Sequence, residues 1–329
     1  MIDKIRNTIL YHIYGDVFGV PFELWTNEFI QHMINKLNLD FVDKNGTKLI
    51  TKLCKTHKND FIGQYSDDSE MIIATIDCIN NTLNCENLLK YFKQHYTENR
   101  GYGYITESIL LNDDNPQVKS DNNGGLMRMT PIALWNLHTS DFELKHDIIY
   151  NLELTYHNTQ KNIDVCYLFC KIIISNILHN LSLNEFINFL QLQINNLVSI
   201  KNEINEIIDN FINHGDEYNI INRYDNYSLD VVETFCKTLN IFLYHYDEHE
   251  YMFSYGVLYG GDTDTITGIV GALVGSKFDI EINEIIKIEN IDFINTLIDK
   301  FIVNIKNKQA NIQKYDNYEN NYICLTKFF

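Results

Sequence analysis

Apolar positions recur every three to four residues along most of this chain, the spacing that gathers them on one face of an α-helix. Ile5, Ile9, Leu10, Ile13 and Tyr14 mark a first amphipathic helix, which Gly15 is expected to end. Further helices are predicted over 25–39, 68–83 and 86–96, with Met71, Ile72, Thr75, Ile76 and Ile79 carrying the pattern in the second of these. After a polar loop around 112–123, helices are expected at 131–137 and 148–154. The stretch 163–181 is apolar enough to run through the centre of the molecule. A long amphipathic segment over 183–212 follows, and 228–244, 251–257, 266–277 and 291–306 complete the set. Alternation with a period of two is weak everywhere, so the pattern predicts an all-α fold. No composition break divides the chain. Residues 1–329 read as a single domain, with a polar surface excursion at about 195–227 and a polar tail over 307–329.

Composition narrows the classes. The 329 residues are 45% hydrophobic and 21% charged, enough for a sizeable core. Only 3 Pro and 15 Gly punctuate them, which favours long helices. The formal net charge of −18 repels phosphate backbones and anionic lipid, so neither nucleic acid nor a membrane is expected as a partner. Solubility alone accounts for such a charge, and cation binding is compatible with it. The seven Cys, at 54, 78, 85, 166, 170, 236 and 324, include no C-x-x-C pair and suggest a reduced, cytoplasmic protein with buried thiols. No signal pattern opens the chain, and its uninterrupted apolar runs are too short to span a bilayer.

Candidate chemistry concentrates in five segments. Gly260-Gly261-Asp262-Thr263-Asp264-Thr265 opens a helix of small residues. One side chain suffices to cap a helix, whereas two Asp and two Thr here share four positions. A D-x-D turn can aim two carboxylates at one hard cation. This is no EF-hand, because Thr267 stands where that loop needs Gly and Leu273 where it needs Glu. Gly268, Gly271 and Gly275 leave one helix face open to close approach by a neighbour.

Ser66-Asp67-Asp68-Ser69-Glu70 opens another apolar helix, either as a capping box of Asp67 with Glu70 or as metal ligands. Gly15 to Glu23 is either a helix end with a tight turn or a rigid turn that aims a carboxylate. Asn122-Asn123-Gly124-Gly125-Leu126-Met127-Arg128 is either a flexible loop or a row of N–H groups able to cradle a diphosphate. Tyr156-His157-Asn158 carries an isolated His before a helix, ordinarily a structural residue. His245 and His249 have ligand spacing but no third ligand nearby, and read as a solvated helix end.

Taken in order, these segments resemble the ADP-ribosylglycohydrolase family. Gly15–Glu23 is similar to its G-D-x-x-G-x-x-x-E start, Ser66–Ser69 to T-D-D-T, Asn122–Arg128 to G-N-G-[SG]-A-M-R, and Tyr156-His157 to T-H. Gly260–Gly275 follows G-G-D-x-D-T-I-x-x-x-x-G-A-x-x-G closely. The resemblance implies an orthogonal bundle of helices around a binuclear centre of two Mg²⁺ or Mn²⁺, held by Ser66, Asp67, Asp68, Asp262, Asp264 and Thr265. It implies Glu23 and Asp67 as catalytic carboxylates, with Glu23 as acid/base or metal-adjacent group. Ser120, Asn123, Gly124, Gly125, Met127, Arg128 and His157 would contact ADP-ribose.

The implied reaction is hydrolysis of the glycosidic bond between ADP-ribose and an arginine or serine side chain, or a small conjugate, by a monomer acting on ADP-ribosylated protein. Such a bond breaks through an oxocarbenium-like state. Four departures stand out. Ser66 replaces Thr, Asn122 replaces Gly and restricts the loop, Leu126 replaces Ala and adds bulk, and Tyr156 replaces Thr. No carboxylate is lost. A non-catalytic ADP-ribose-binding module and a D-x-D transferase built on a parallel sheet are the alternatives.

Overall fold

The computed structural model describes residues 1–36, 63–112, 119–214, 227–280 and 288–326, with the side chains of 214, 250 and 313–326 outside the description. In chain order the helices are α1 (Ile2–Gly19), α2 (Asn27–Lys36), α3 (Asp67–Thr82), α4 (Leu88–His95), α5 (Tyr104–Asn112), α6 (Thr130–Trp135), α7 (Asp141–Glu153), α8 (Gln160–His179), α9 (Leu183–Ile194), α10 (Lys201–His214), α11 (Val231–Tyr244), α12 (Met252–Leu258), α13 (Thr263–Lys277) and α14 (Ile291–Thr326). Short 3₁₀ turns cover Val20–Phe22, Asn123–Arg128 and His249–Tyr251. Among the described residues there is no strand, only an isolated antiparallel bridge between Asn122 and Asp230. The fold is all-α, and the sheet that a D-x-D transferase requires is absent from these residues.

Helix α1 does not stop at Gly15. It continues to Gly19 because both glycines serve packing rather than termination. A Cβ on Gly15 would overlap the Thr267 carbonyl, one on Gly19 the Thr263 carbonyl, one on Gly271 the Tyr11 carbonyl and one on Gly275 the Asn7 carbonyl. Rising numbers on α1 meet falling numbers on α13, so the two helices lie antiparallel with their backbones in contact. The Thr263 hydroxyl donates to the Gly19 carbonyl at 2.9 Å, and the Thr267 hydroxyl donates to that of Gly15. These bonds fix the register that sets the end of α1 beside the start of α13.

The remaining core closes around this pair. α8 packs against α6, α7, α11 and α13, and α3 against α4 and α14. α8 is the one described helix long and apolar enough to cross a bilayer, contrary to the reading of short apolar runs. Val165, Cys166, Leu168, Phe169, Cys170, Ile172 and Ile173 are nevertheless fully buried inside the protein, so α8 is a core helix here.

Other boundaries shift for local reasons. The segment 183–212 breaks into α9 and α10 at a turn that buries Leu197 and Ile200. Ile204, Ile207 and Ile208 are also buried, so the first half of the expected surface excursion packs on the core, while 215–226 lies outside the described residues. α7 starts at Asp141, earlier than the pattern suggests, because Ser140 and Glu143 form a capping box. α5 has no counterpart in the reading. The expected tail continues as helix to Thr326. Cys78, Cys85, Cys166, Cys170 and Cys236 are buried thiols in no disulfide, and Cys54 and Cys324 lie outside the described side chains.

Candidate active site

The start of α3 is organised by a residue of α1. Asp16 is fully buried, and its carboxylate accepts the Ser66 N–H on both oxygens and the Ser69 N–H on Oδ2, each at 3.1 Å. Ser66 is the N-cap: its hydroxyl oxygen accepts the Asp68 N–H at 3.2 Å. The Asp67–Glu70 capping box is therefore not formed. Glu70 turns away and takes hydrogen bonds from the Thr97 N–H at 2.9 Å and the Tyr102 hydroxyl at 2.7 Å. With their turn anchored from outside, Asp67 and Asp68 are free to project from the helix start.

The start of α13 is anchored by a strap. Gly260 and Gly261 have φ of 68° and 73°, the left-handed region open to glycine. The Leu24 N–H donates to the Gly261 carbonyl and the Gly261 N–H to the Trp25 carbonyl, both at 2.7 Å. This reciprocal pair holds Leu24 itself at φ 65°, a strained conformation for a branched residue, and fixes Glu23 beside the 260–262 turn. Asp262 occupies the N-cap position of α13 without a capping side-chain bond. Its carboxylate instead accepts a hydrogen bond from Asn123 Nδ2. By contrast, Asp230 spends its carboxylate on capping α11.

These starts open on one cavity of about 220 Å³, whose walls include Glu23, Asp67, Asp68, Asp262, Asp264 and Thr265 on the acidic side. Asn122, Asn123, Gly124, Met127 and His157 face them, and Leu24, Gly101, Gly103, Thr106, Tyr227, Leu229 and Gly261 complete the lining. A larger hollow of about 570 Å³ lies between Trp135 and α14 and contains none of the motif residues. Ser66 does not line the acidic cavity. It borders an adjoining hollow that shares Glu23 and Gly101 with it.

The cavity concentrates negative charge away from water. Burial, then repulsion from Asp262 and Asp16, pushes Glu23 up to about 7. Burial raises Asp67, Asp68 and Asp264 well above the usual carboxylate range, and their carboxylate neighbours add to the rise. The Thr265 side chain beside Asp68 holds part of that rise back. Burial also raises Asp16, against the pull of its Ser66 and Ser69 donors. Two oxygens, Asp68 Oδ2 and Asp264 Oδ1, are buried with no hydrogen-bond partner. Buried acceptors without donors, among Asp and Thr oxygens, are chemistry that fits a hard divalent cation. Among the described residues no three His, Cys, Asp or Glu side chains close around a single point, so the carboxylates share a cavity rather than a formed coordination shell.

The opposite wall is built from the Asn123–Arg128 turn. The Asn123 N–H donates to the Leu229 carbonyl at 2.8 Å and its Nδ2 to Thr234 Oγ1 at 2.9 Å, which aims the same amide at Asp262. Arg128, expected to touch ligand, is fully buried beneath the turn. Its Nε donates to Asn151 Oδ1 at 2.7 Å, its Nη1 to the Gly124 carbonyl, and its Nη2 to Thr155 Oγ1 at 2.6 Å. It shapes the wall from behind because every nitrogen is spent inside. Gly125 likewise lies under the turn, against Leu152 and His157. Ser120 stands outside the cavity, with its N–H on the Tyr156 carbonyl at 2.8 Å and its hydroxyl accepting from the Asn122 N–H at 3.1 Å.

His157 is 4% exposed and lines the cavity. Burial and the nearby Arg128 cation press its imidazole down to about 3, with the Thr155 carbonyl opposing them. The ring is neutral at physiological pH.

The departures in this wall are absorbed. Asn122 has φ −67° and ψ 159°, an extended conformation that requires no glycine. Leu126 is fully buried in the main core, where its extra bulk packs. Tyr156 adopts φ 59° and presents its carbonyl to Ser120.

Sequence reasoning missed the 97–103 loop. The Asp67 N–H donates to the Arg100 carbonyl at 2.9 Å, and Gly101, at φ 99°, passes so close that a Cβ there would lie 3.3 Å from Asp67 Oδ1. The only signal was Gly101-Tyr102-Gly103 in a polar stretch. Asp16 lies between Gly15 and Gly19 in sequence, but its role as the outside cap of α3 depends on a contact that no local pattern contains. His245 and His249 do not share a helix: His245 follows α11, and its ring lies 4.5 Å from that of Tyr255.

Residues 1–301 match the family model described as ADP-ribosylglycohydrolase. No curated protein matches the chain. A solved structure described as an ADP-ribosylglycohydrolase-related protein complex superimposes with a TM-score of 0.61 over 92% of this chain and 98% of that one, at 14% identity, a likeness of fold.

Proposed function

The chain belongs to the ADP-ribosylglycohydrolase family, hydrolases of ADP-ribose-linked glycosyl bonds, and we propose that it cleaves ADP-ribose from an arginine or serine side chain or from a small conjugate, with two Mg²⁺ or Mn²⁺ as cofactors. The observation that carries this reading is the meeting of two acidic helix starts in one cavity, with Asp68 Oδ2 and Asp264 Oδ1 buried and unpartnered. Asp67, Asp68, Asp262, Asp264 and Thr265 would hold the ions, while Ser66, expected among the ligands, stands outside the cavity with its hydroxyl capping α3. When bound, such ions orient ribose hydroxyls and acidify water.

The chain's own groups supply the rest. In the metal-free site, burial and the neighbouring carboxylates raise Glu23 to about 7, and a carboxyl group bordering the cavity is the kind of group that gives a proton to a leaving atom and takes one from water. Asn123 holds the Asp262 carboxylate in place. The Gly124 turn lets the main chain approach a ligand closely. The absorbed substitutions at Asn122 and Leu126 remove the reason to prefer a module that binds without turnover.

Incubation with Mg²⁺ and with arginine- and serine-linked ADP-ribose conjugates is expected to release ADP-ribose. Glu23→Gln should lower kcat by about two to four orders of magnitude while ADP-ribose binding survives. No release from any conjugate, with Mg²⁺ or Mn²⁺, would sink the proposal.

A further inference from the structure

We infer that Thr155 is a positioning residue for this site: its hydroxyl accepts from Arg128 and donates to His157 Nδ1, which places the single ring proton of His157 on Nε2 and makes that nitrogen a neutral hydrogen-bond donor in the cavity wall. A guanidinium has only donors. Arg128 Nη2 lies 2.6 Å from Thr155 Oγ1, so at this contact the hydroxyl oxygen must accept. The hydroxyl keeps one hydrogen of its own, and His157 Nδ1 stands 3.0 Å away to receive it. An imidazole nitrogen that accepts is unprotonated, and a neutral ring then carries its proton on the other nitrogen.

Arg128 and Thr155 are fully buried, so no bulk water competes along this chain of bonds. The arginine is itself immobilised by Asn151 and by the Gly124 carbonyl. The far end of the ring meets the turn: a Cβ on Gly124 would lie 3.0 Å from His157 Nε2, and both residues line the cavity. The competing arrangement puts the proton on Nδ1, directed at the Thr155 main-chain carbonyl or at the second lone pair of its hydroxyl oxygen, and would leave Nε2 as an acceptor.

The consequence is selective. A neutral donor on the wall opposite the carboxylates addresses an acceptor oxygen of the ligand, a hydroxyl or phosphate oxygen, without drawing the carboxylates to itself as an imidazolium would. Arg128, which never reaches the cavity, then acts on the ligand through two intermediate side chains. The identity of that ligand as ADP-ribose rests on the function proposed above, whereas the tautomer does not.

The test is nitrogen NMR on the full chain labelled at histidine, with the His157 signals identified by their loss in His157→Gln. Nδ1 is expected to show the shift of an unprotonated nitrogen and Nε2 that of a protonated one, and the reverse pattern overturns the inference. Thr155→Val should move the proton toward Nδ1 and weaken ADP-ribose binding on the order of tenfold, as loss of one oriented hydrogen bond does. Thr155→Ser should restore both. If Thr155→Val lowers stability but leaves tautomer and affinity unchanged, Thr155 is merely structural and the inference fails. If Thr155→Val does not fold, the wild-type spectrum decides alone. A protein that binds no ADP-ribose sinks the functional reading but leaves the His157 spectrum to be read as before.

Discussion

Asp16 caps the helix that begins at Ser66: both of its carboxylate oxygens take the Ser66 N–H at 3.1 Å across 50 residues of sequence. The first turn of α3 is thereby fixed to α1, and α1 is fixed to α13 by glycine contacts. Two acidic helix starts far apart in sequence share one cavity because a third helix holds each of them.

Removing that cap should be felt first as stability. Asp16→Ala leaves the buried N–H groups of Ser66 and Ser69 without acceptors, at about 1–3 kcal/mol each. Urea unfolding is expected to show a loss of a few kcal/mol, and a smaller loss for Asp16→Asn, which keeps one acceptor oxygen. An unchanged midpoint for Asp16→Ala would mean that the cap is replaced by water.

The α1–α13 contact should tolerate no added carbon. Gly271→Ala would drive a methyl group into the Tyr11 carbonyl, where only backbone can yield. Overpacking of this kind costs about 1–3 kcal/mol. Thermal unfolding should shift down by several degrees, and activity should fall with it, because the same contact positions Asp262 and Asp264.

Cation binding and carboxylate repulsion should pull stability in opposite directions. Mg²⁺ at one hundred times its dissociation constant should stabilise the native protein by about 2.7 kcal/mol. Asp264→Asn removes one of several mutually repelling buried carboxylates, so it should raise the melting temperature of the metal-free protein. The same variant should lose most of the Mg²⁺ increment. Calorimetric scans with and without Mg²⁺ measure both effects, and a full increment in Asp264→Asn would remove that residue from the ligand set.

His12 should contribute an acid-side loss of stability. It is fully buried in α1, with Nδ1 2.7 Å from Thr130 Oγ1 and Nε2 unpartnered, and burial lowers it to about 3. Its folded value lies below the unfolded one of about 6.5, so the unfolded chain takes up the proton first. The stabilisation is whole above that unfolded value and drains as pH falls toward the folded one. Between pH 7 and pH 5 this single group accounts for about 2 kcal/mol. His12→Gln should flatten the pH dependence of the unfolding free energy by about that amount, measured against wild type.

The helical pattern was legible wherever an apolar stripe faced the core, as in α3 and α8. It failed at Gly15, because a glycine that ends a helix and one that admits a neighbouring backbone look the same in sequence. The acidic members of the site were legible because two Asp beside hydroxyls at a helix start exceed what capping uses. That Arg128 lies beneath the turn was illegible, since its motif position tells nothing about Asn151, Gly124 and Thr155 absorbing its nitrogens. The Gly101 approach to Asp67 and the Asp16 cap were illegible, for each is a tertiary contact whose partners share no local pattern.

The glycine seam between α1 and α13 also dictates when the site can exist. Gly15 and Thr267 are 252 residues apart. On a ribosome adding roughly 5–20 residues per second, α1 waits on the order of 10–50 s for the helix that completes it. Throughout that time its glycine face has no partner within reach, and Asp16, Glu23 and the α3 carboxylates cannot meet Asp262 and Asp264. The cavity thus closes only after α13 has been made, and a product arrested before α13 carries Glu23, Asp67 and Asp68 without Asp264 to face them.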